Sequence, residues 1–156
     1  MIVVDASVAV KWFVEEPGHD QAVAVLASDE DLIAPDLLVA ETLHALRKKV
    51  RGGEMSAEQF LAASRALPEF LDRFETAQAT SSRAAEQALA LDHGYYDCVY
   101  LAMAEAQSGL LVTADERFAT KAASAGYVAI ISSLAAWHEA ATAAAASRSP
   151  SNPLDG

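Results

Sequence analysis

Met1-Ile2-Val3-Val4-Asp5-Ala6-Ser7 opens the chain. A β-branched run stops at an acid, and a helix-like segment, Val8 to Val14, follows at once. The pattern reads as a buried strand that delivers one carboxylate to its C-terminal end. In open α/β sheets that end is where ligands and chemistry gather. Leu110-Leu111-Val112-Thr113-Ala114-Asp115 repeats the arrangement late in the chain. Two strand-end aspartates predict one acidic site.

The segments between them alternate. Helices are expected over His19 to Ala27, Leu37 to Val50, Ser56 to Phe70 (opened by capping-box spacing with Gln59), Ser81 to Leu91 and Tyr95 to Ser108. Two more are expected over Glu116 to Ala125 and Ser133 to Ala146. Asp31 to Ala34 and Val128 to Ile131 read as strands, and Arg73 to Thr76 as a weak strand or loop. Strands separated by helices predict an α/β fold, a three-layer α/β/α sandwich around a central, mostly parallel sheet. The strand-end acids would meet at its topological switch point. Residues 147 to 156, rich in Ser, Pro and Asn, are expected to be a disordered tail.

At 156 residues the chain is read as one domain, and its 53% apolar share supports a proper core. One cysteine excludes an internal disulfide framework. The chain enters its first strand at once and has no apolar run of membrane-spanning length. A soluble, cytoplasmic protein with no membrane partner is therefore expected. The net charge of −11 is an objection to any nucleic-acid partner, because the overall field repels phosphates. Such a partner needs a bound cation or a local basic patch.

Asp5, Asp97 and Asp115 each stand just before or at a helix start. Taken singly, each has an N-cap as its simplest reading, and Thr113 with Glu116 has capping-box spacing. Taken together they look different, because two of them end strands on the same sheet edge. Glu41 follows Leu37 and Leu38 by three or four residues and precedes Ala45 by four, so it shares an apolar helix face. It is either a site residue or a helix-edge glutamate reaching solvent. Converging carboxylates about 4 Å apart repel by roughly 4 kcal/mol per pair at an effective dielectric of 20. An all-oxygen set of this kind suits Mg²⁺ or Mn²⁺, the usual tools of phosphodiester chemistry.

Other motifs carry less. Glu41 and His44 form an E-x-x-H pair, but a di-iron site needs a second pair, and the four histidines lack zinc spacing. Cys98 has no histidine at short range and reads as a small buried thiol. Neither a Gly-rich phosphate loop nor a G-x-S-x-G elbow is present. Tyr95 and Tyr96 are read either as packing residues at a helix start or as rings that stack on bases.

Four blocks then match a known pattern: Val3-Val4-Asp5-Ala6-Ser7, Pro35-Asp36-Leu37-Leu38-Val39-Ala40-Glu41, Tyr96-Asp97-Cys98-Val99-Tyr100-Leu101-Ala102 and Leu111-Val112-Thr113-Ala114-Asp115-Glu116-Arg117-Phe118. In order and spacing they resemble the signature blocks of the PIN-domain family, above all its VapC-type toxins of bacterial toxin–antitoxin pairs. The resemblance covers residues 1–137 as a nuclease domain and leaves 138–146 as an Ala-rich helical extension. It implies a Mg²⁺- or Mn²⁺-dependent endoribonuclease with Asp5, Glu41, Asp97 and Asp115 as catalytic and metal-binding acids. Asp5 and Asp97 would ligate the metal directly. Glu41 and Asp115 would bind it through water, or orient and deprotonate the attacking water. Ser7 and Thr113 match supporting hydroxyls. In-line attack would leave a 5′-phosphate and a 3′-hydroxyl. A homodimer and a cognate antitoxin, with a basic side chain inserted among the acids, are also implied. Cys98 departs from the family's usual Ala.

For the RNA backbone the candidates are Arg47, Lys48, Lys49 and Arg51 at one helix end, and Arg117 and Lys121 on one helix face after Asp115. Two other functions compete. A receiver-like phosphoacceptor domain wants paired acids after the first strand and a late lysine, and the chain supplies neither. A catalytically silent PIN-like binding module could have lost its acids, yet all four stand.

Overall fold

The computed structural model describes residues 1–148. Five strands form one parallel sheet: β1 (Ile2–Val4), β2 (Leu32–Pro35), β3 (Arg73–Glu75), β4 (Leu110–Thr113) and β5 (Ile131–Ser133). Their order is β3-β2-β1-β4-β5. The chain leaves β1 in one direction for β2 and β3, and returns to the other side of β1 for β4 and β5. The switch point therefore lies between β1 and β4, where Val4 pairs with Val112. Asp5 and Asp115 follow directly on those two strands.

Right-handed crossovers then settle which face each helix covers. The connections toward β3 put α1 (Ala6–Lys11), α2 (His19–Leu26), α3 (Leu37–Arg51) and α4 (Ala57–Ala66) on one face. Those toward β5 put α5 (Ser81–Leu91), α6 (Tyr95–Gln107) and α7 (Glu116–Ala122) on the other. The last helix, α8 (Leu134–Arg148), packs on α2. The expected α/β/α sandwich is the observed fold. Buried on both faces, the central strands are near-continuous apolar runs, with Val3, Val4, Leu111 and Val112 excluded from solvent. Among the described residues no helix is long and apolar enough to cross a membrane.

Several boundaries differ from the sequence expectation; the helices expected to reach Val14 and Ala125 end at Lys11 and Ala122. The last strand begins at Ile131, three residues later than Val128. Gly126 adopts φ 104°, a turn follows in which the Ile130 amide donates to the Tyr127 carbonyl, and Val128 is left 70% exposed. A β-branched residue was thus placed on a turn that the preceding glycine dictates. The helix expected through Phe70 ends at Ala66, and a 3₁₀ turn at Leu67–Phe70 follows because Pro68 cannot extend the α pattern. Ser147 and Arg148, read as the start of the tail, close α8, and the rest of that tail lies outside the described residues.

Candidate active site

Asp5 sits where β1 becomes α1. Its amide donates to the Val112 carbonyl across the switch point, and its own carbonyl begins α1 by accepting from Val8 and Ala9. The side chain caps nothing. Instead Oδ2 accepts from Ser7 Oγ at 2.5 Å and from Thr113 Oγ1 at 2.6 Å. Only 7% of Asp5 is exposed. Ser7 Oγ in turn accepts the Ala114 amide at 2.9 Å, and Thr113 Oγ1 accepts the Asp115 amide at 3.0 Å. The two hydroxyls therefore lock the ends of β1 and β4 together around one buried oxygen.

Asp97 comes from the first turn of α6, whose N-cap is Gly94. His93 Nε2 lies 2.8 Å from Asp97 Oδ2, and the imidazole stacks on Phe118 with centroids 4.4 Å apart. Glu41 projects from α3 and accepts from the buried Tyr100 hydroxyl at 2.7 Å. Glu41 is half-buried and held by Tyr100 rather than free in solvent. Asp115 differs from the others. It is exposed, and its Oδ1 caps α7 by accepting the amides of Arg117 and Phe118, each at 2.9 Å. The helix is capped by Asp115, so the capping box spaced as Thr113 and Glu116 does not form.

The acids feel one another. Burial raises the pKa of Asp5, and the charge of Asp97 adds to it, while the hydrogen bonds from Ser7 and Thr113 pull the other way. Burial also raises Glu41, assisted by the charges of Asp5 and Asp97 and opposed by Tyr100. Asp97 is raised by burial and by Asp115, against His93. Four carboxylates from four separate segments thus face one region at the C-terminal edge of the sheet. Apart from the His93 imidazole beside Asp97, its donors are oxygens, and among the described residues no lysine or arginine pairs with the four carboxylates. That chemistry fits a hard divalent cation. Among the described residues no three metal-binding side chains are arranged around one ion; Asp97 is paired with His93 and Glu41 with Tyr100.

Two clefts flank the acids. One of about 420 Å³ is lined by Glu41, Gly94, Tyr95, Tyr96 and Asp97. The other, about 560 Å³, is bordered by Ser7, Lys11, Asp115 and Arg117 among others. Arg117 is the one predicted basic residue on either lining. Lys121 donates to the Asp92 carbonyl at 2.7 Å. Lys49 is paired with Glu16 at 2.9 Å and Glu54 at 3.0 Å. Arg47, Lys48 and Arg51 are exposed toward the far end of α3, roughly 9–15 Å along the axis from Glu41. His44 is exposed, and burial pushes the Cys98 thiol up to about 11, so neither adds chemistry.

Sequence reasoning missed His93 and Tyr100 as partners of the acids, and Lys11, paired with Glu16, as a cleft-lining residue. Tyr100 had a readable signal, since it follows Asp97 by three residues and shares its helix face. His93 precedes Asp97 by four, but across the break at Gly94. Lys11 had none, because its cleft is assembled from distant segments.

Comparison with known proteins agrees with this fold. The PIN domain profile matches residues 2–124. Ribonuclease VapC3 of Pyrobaculum aerophilum is 33% identical over 125 residues, covering 77% of this chain and 93% of that protein. Ribonuclease VapC1 of Mycobacterium tuberculosis is 42% identical over 88 residues, which cover 55% of this chain. The match spans 64% of that relative's length, slightly under two thirds. The crystal structure of M. tuberculosis VapC20, a toxin that cleaves the sarcin–ricin loop, superposes with a TM-score of 0.64 at 18% identity, over 81% of this chain and 95% of that one. That of P. aerophilum PAE2754 gives 0.65 at 18% identity, over 91% and 89%. On the strength of the profile and the full-length relative, the chain belongs to the PIN-domain family, in its VapC branch.

Proposed function

We propose that the protein is a divalent-metal-dependent endoribonuclease acting as the toxin of a toxin–antitoxin pair. The observation that carries this reading is the buried carboxylate of Asp5, held by Ser7 and Thr113 and facing Asp97 and Glu41 at the switch point. Asp5 and Asp97 would hold Mg²⁺ or Mn²⁺, with Glu41 and Asp115 reaching it directly or through water. When bound, the ion supplies charge stabilisation at the phosphoryl oxygens and a more acidic water. The chain's own part is to place that water. Asp115 is suited to orient it, since Oδ1 is fixed by the α7 amides and leaves Oδ2 for a donor. Glu41, with raised proton affinity, is suited to take its proton. The hydroxide oxygen would bond to phosphorus as the bond to the 3′-oxygen breaks, leaving a 5′-phosphate and a 3′-hydroxyl.

Arg117 borders the cleft beside Asp115 and is the basic residue best placed for a phosphate. The names of the relatives support RNA as substrate. Membership of the VapC branch supports a cognate antitoxin, a homodimer and a cytoplasmic setting. The direct test is cleavage of a structured RNA pool by the purified protein, freed of any partner, in Mg²⁺, Mn²⁺ or EDTA. Metal-dependent cutting that vanishes in Asp5→Asn and Asp97→Asn is the expected result. An inert wild type that also binds no metal would return the acids to structural roles and leave a binding module.

A further inference from the structure

Tyr95 and Tyr96 stand immediately before Asp97 and expose 42% and 58% of their surface, although both begin a helix otherwise committed to the core. Their rings lie 6.1 Å apart at 59°, a tilted pair that braces each other. Neither hydroxyl has a hydrogen-bond partner among the described residues. Both rings share the 420 Å³ cleft with Glu41 and Asp97. Gly94 also lines it, and a Cβ there would crowd Asp97 Oδ2 at 3.2 Å.

We infer that this tyrosine pair is a nucleobase subsite, and that Tyr96 is the face on which an unpaired base next to the scissile phosphate stacks. The inference rests on the ribonuclease reading above. Charge selects the occupant. Glu41 and Asp97 are committed to the cation and the scissile phosphate in the reading above, and among the described residues no lysine or arginine lines this cleft to pair with a further phosphate. An uncharged aromatic base is the part of a polyanion that such a cleft can hold, and an exposed ring offers it a stacking face. The 59° tilt leaves no slot between the rings, so one base is taken on Tyr96 while Tyr95 walls the cleft. A base can reach that face only when splayed from its helix, so the subsite selects loops and single strands over duplex.

The test uses short single-stranded oligoribonucleotides carrying 2-aminopurine, whose fluorescence is quenched on stacking, with the full chain in EDTA so that no cleavage intervenes. Wild type and Tyr96→Phe are expected to quench the probe, and a duplex of the same sequence is not. Tyr96→Leu is expected to abolish quenching and weaken binding about 5- to 150-fold, with an unchanged melting temperature because the ring is exposed. Equal quenching by wild type and Tyr96→Leu would overturn the subsite, as would a Tyr96→Phe protein as weak as Tyr96→Leu, which would place the contact at the hydroxyl. RNA cleavage insensitive to Tyr96→Leu would leave the nuclease standing without this subsite. Quenching that depends on the Tyr96 ring in a protein that cuts no RNA would uphold the subsite and remove the nuclease. Failure of wild type to quench any probe, with an antitoxin-like peptide lost from Tyr96→Leu instead, would make the ring a protein contact and overturn the inference.

Discussion

Both edges of the sheet are rich in acids, and they have different fates. At the N-terminal edge Asp29, Glu30, Asp31, Glu69 and Asp72 line a shallow cleft and are all exposed. Glu30 pairs with the chain's amino terminus, and Asp72 accepts the Leu32 amide at 2.8 Å. These carboxylates are solvated or satisfied singly. At the C-terminal edge Asp5 is buried and Glu41 and Asp97 are partly so, and the three feel one another's charge and have raised proton affinity. The difference teaches that acid density does not make a site. Desolvation and convergence do, because only they leave charge that a cation must relieve.

The contrast is broken most severely by Asp5→Asn. RNA cleavage is expected to fall about a thousandfold or more, the loss of several kcal/mol of transition-state stabilisation. The same substitution is expected to stabilise the metal-free protein. Asn Oδ1 can still accept from Ser7 and Thr113, while the buried charge is gone. The sign follows from linkage. With a raised folded-state pKa, the contribution of Asp5 to stability is fully present below the ordinary carboxylate range and is lost as pH rises through its raised value. Melting curves should therefore show Asp5→Asn gaining on wild type near about pH 8 and not near about pH 3.

Asp115 separates capping from chemistry. Asp115→Asn keeps an oxygen for the α7 amides and should retain stability while losing most cleavage. Asp115→Ala should lose cleavage and also about 1 kcal/mol, or roughly 2–4 °C in melting temperature. If Asn were fully active, Asp115 would be a cap alone. Ser7→Ala removes one donor from Asp5 and the acceptor of the Ala114 amide. Cleavage should drop about 10- to 100-fold, with stability lower by about 1 kcal/mol. The smallest effect belongs to the other edge, where Glu69→Gln should change stability by less than about 0.5 kcal/mol and leave cleavage intact.

Much of this was legible in the residues. Val3-Val4-Asp5 and Val112-Thr113-Ala114-Asp115 announce strand-end acids because a β-branched run followed by an acid and a helix has few other solutions. Glu41 was half legible, since periodicity shows an apolar face but cannot tell a helix edge from an interior. His93 escaped because its pairing with Asp97 crosses the break at Gly94, and Tyr100, although on the helix face of Asp97, because its acceptor Glu41 is set by how α3 and α6 meet. The shifted fifth strand was misread because Val128-Ala129-Ile130 has strand propensity, while the turn closed by Gly126 overrides it. The basic cluster at the end of α3 looked usable in sequence, yet Lys49 is committed to Glu16 and Glu54 and the rest lies far along the helix.

The central claim is that the C-terminal edge, and not the N-terminal one, binds a divalent cation. Its most direct test is Mn²⁺ binding, counted by electron paramagnetic resonance, in wild type, Asp5→Asn, Asp97→Asn and Asp72→Asn. Wild type and Asp72→Asn should bind alike, and Asp5→Asn and Asp97→Asn should lose the ion. Equal binding by all four proteins, or loss in Asp72→Asn alone, would contradict it.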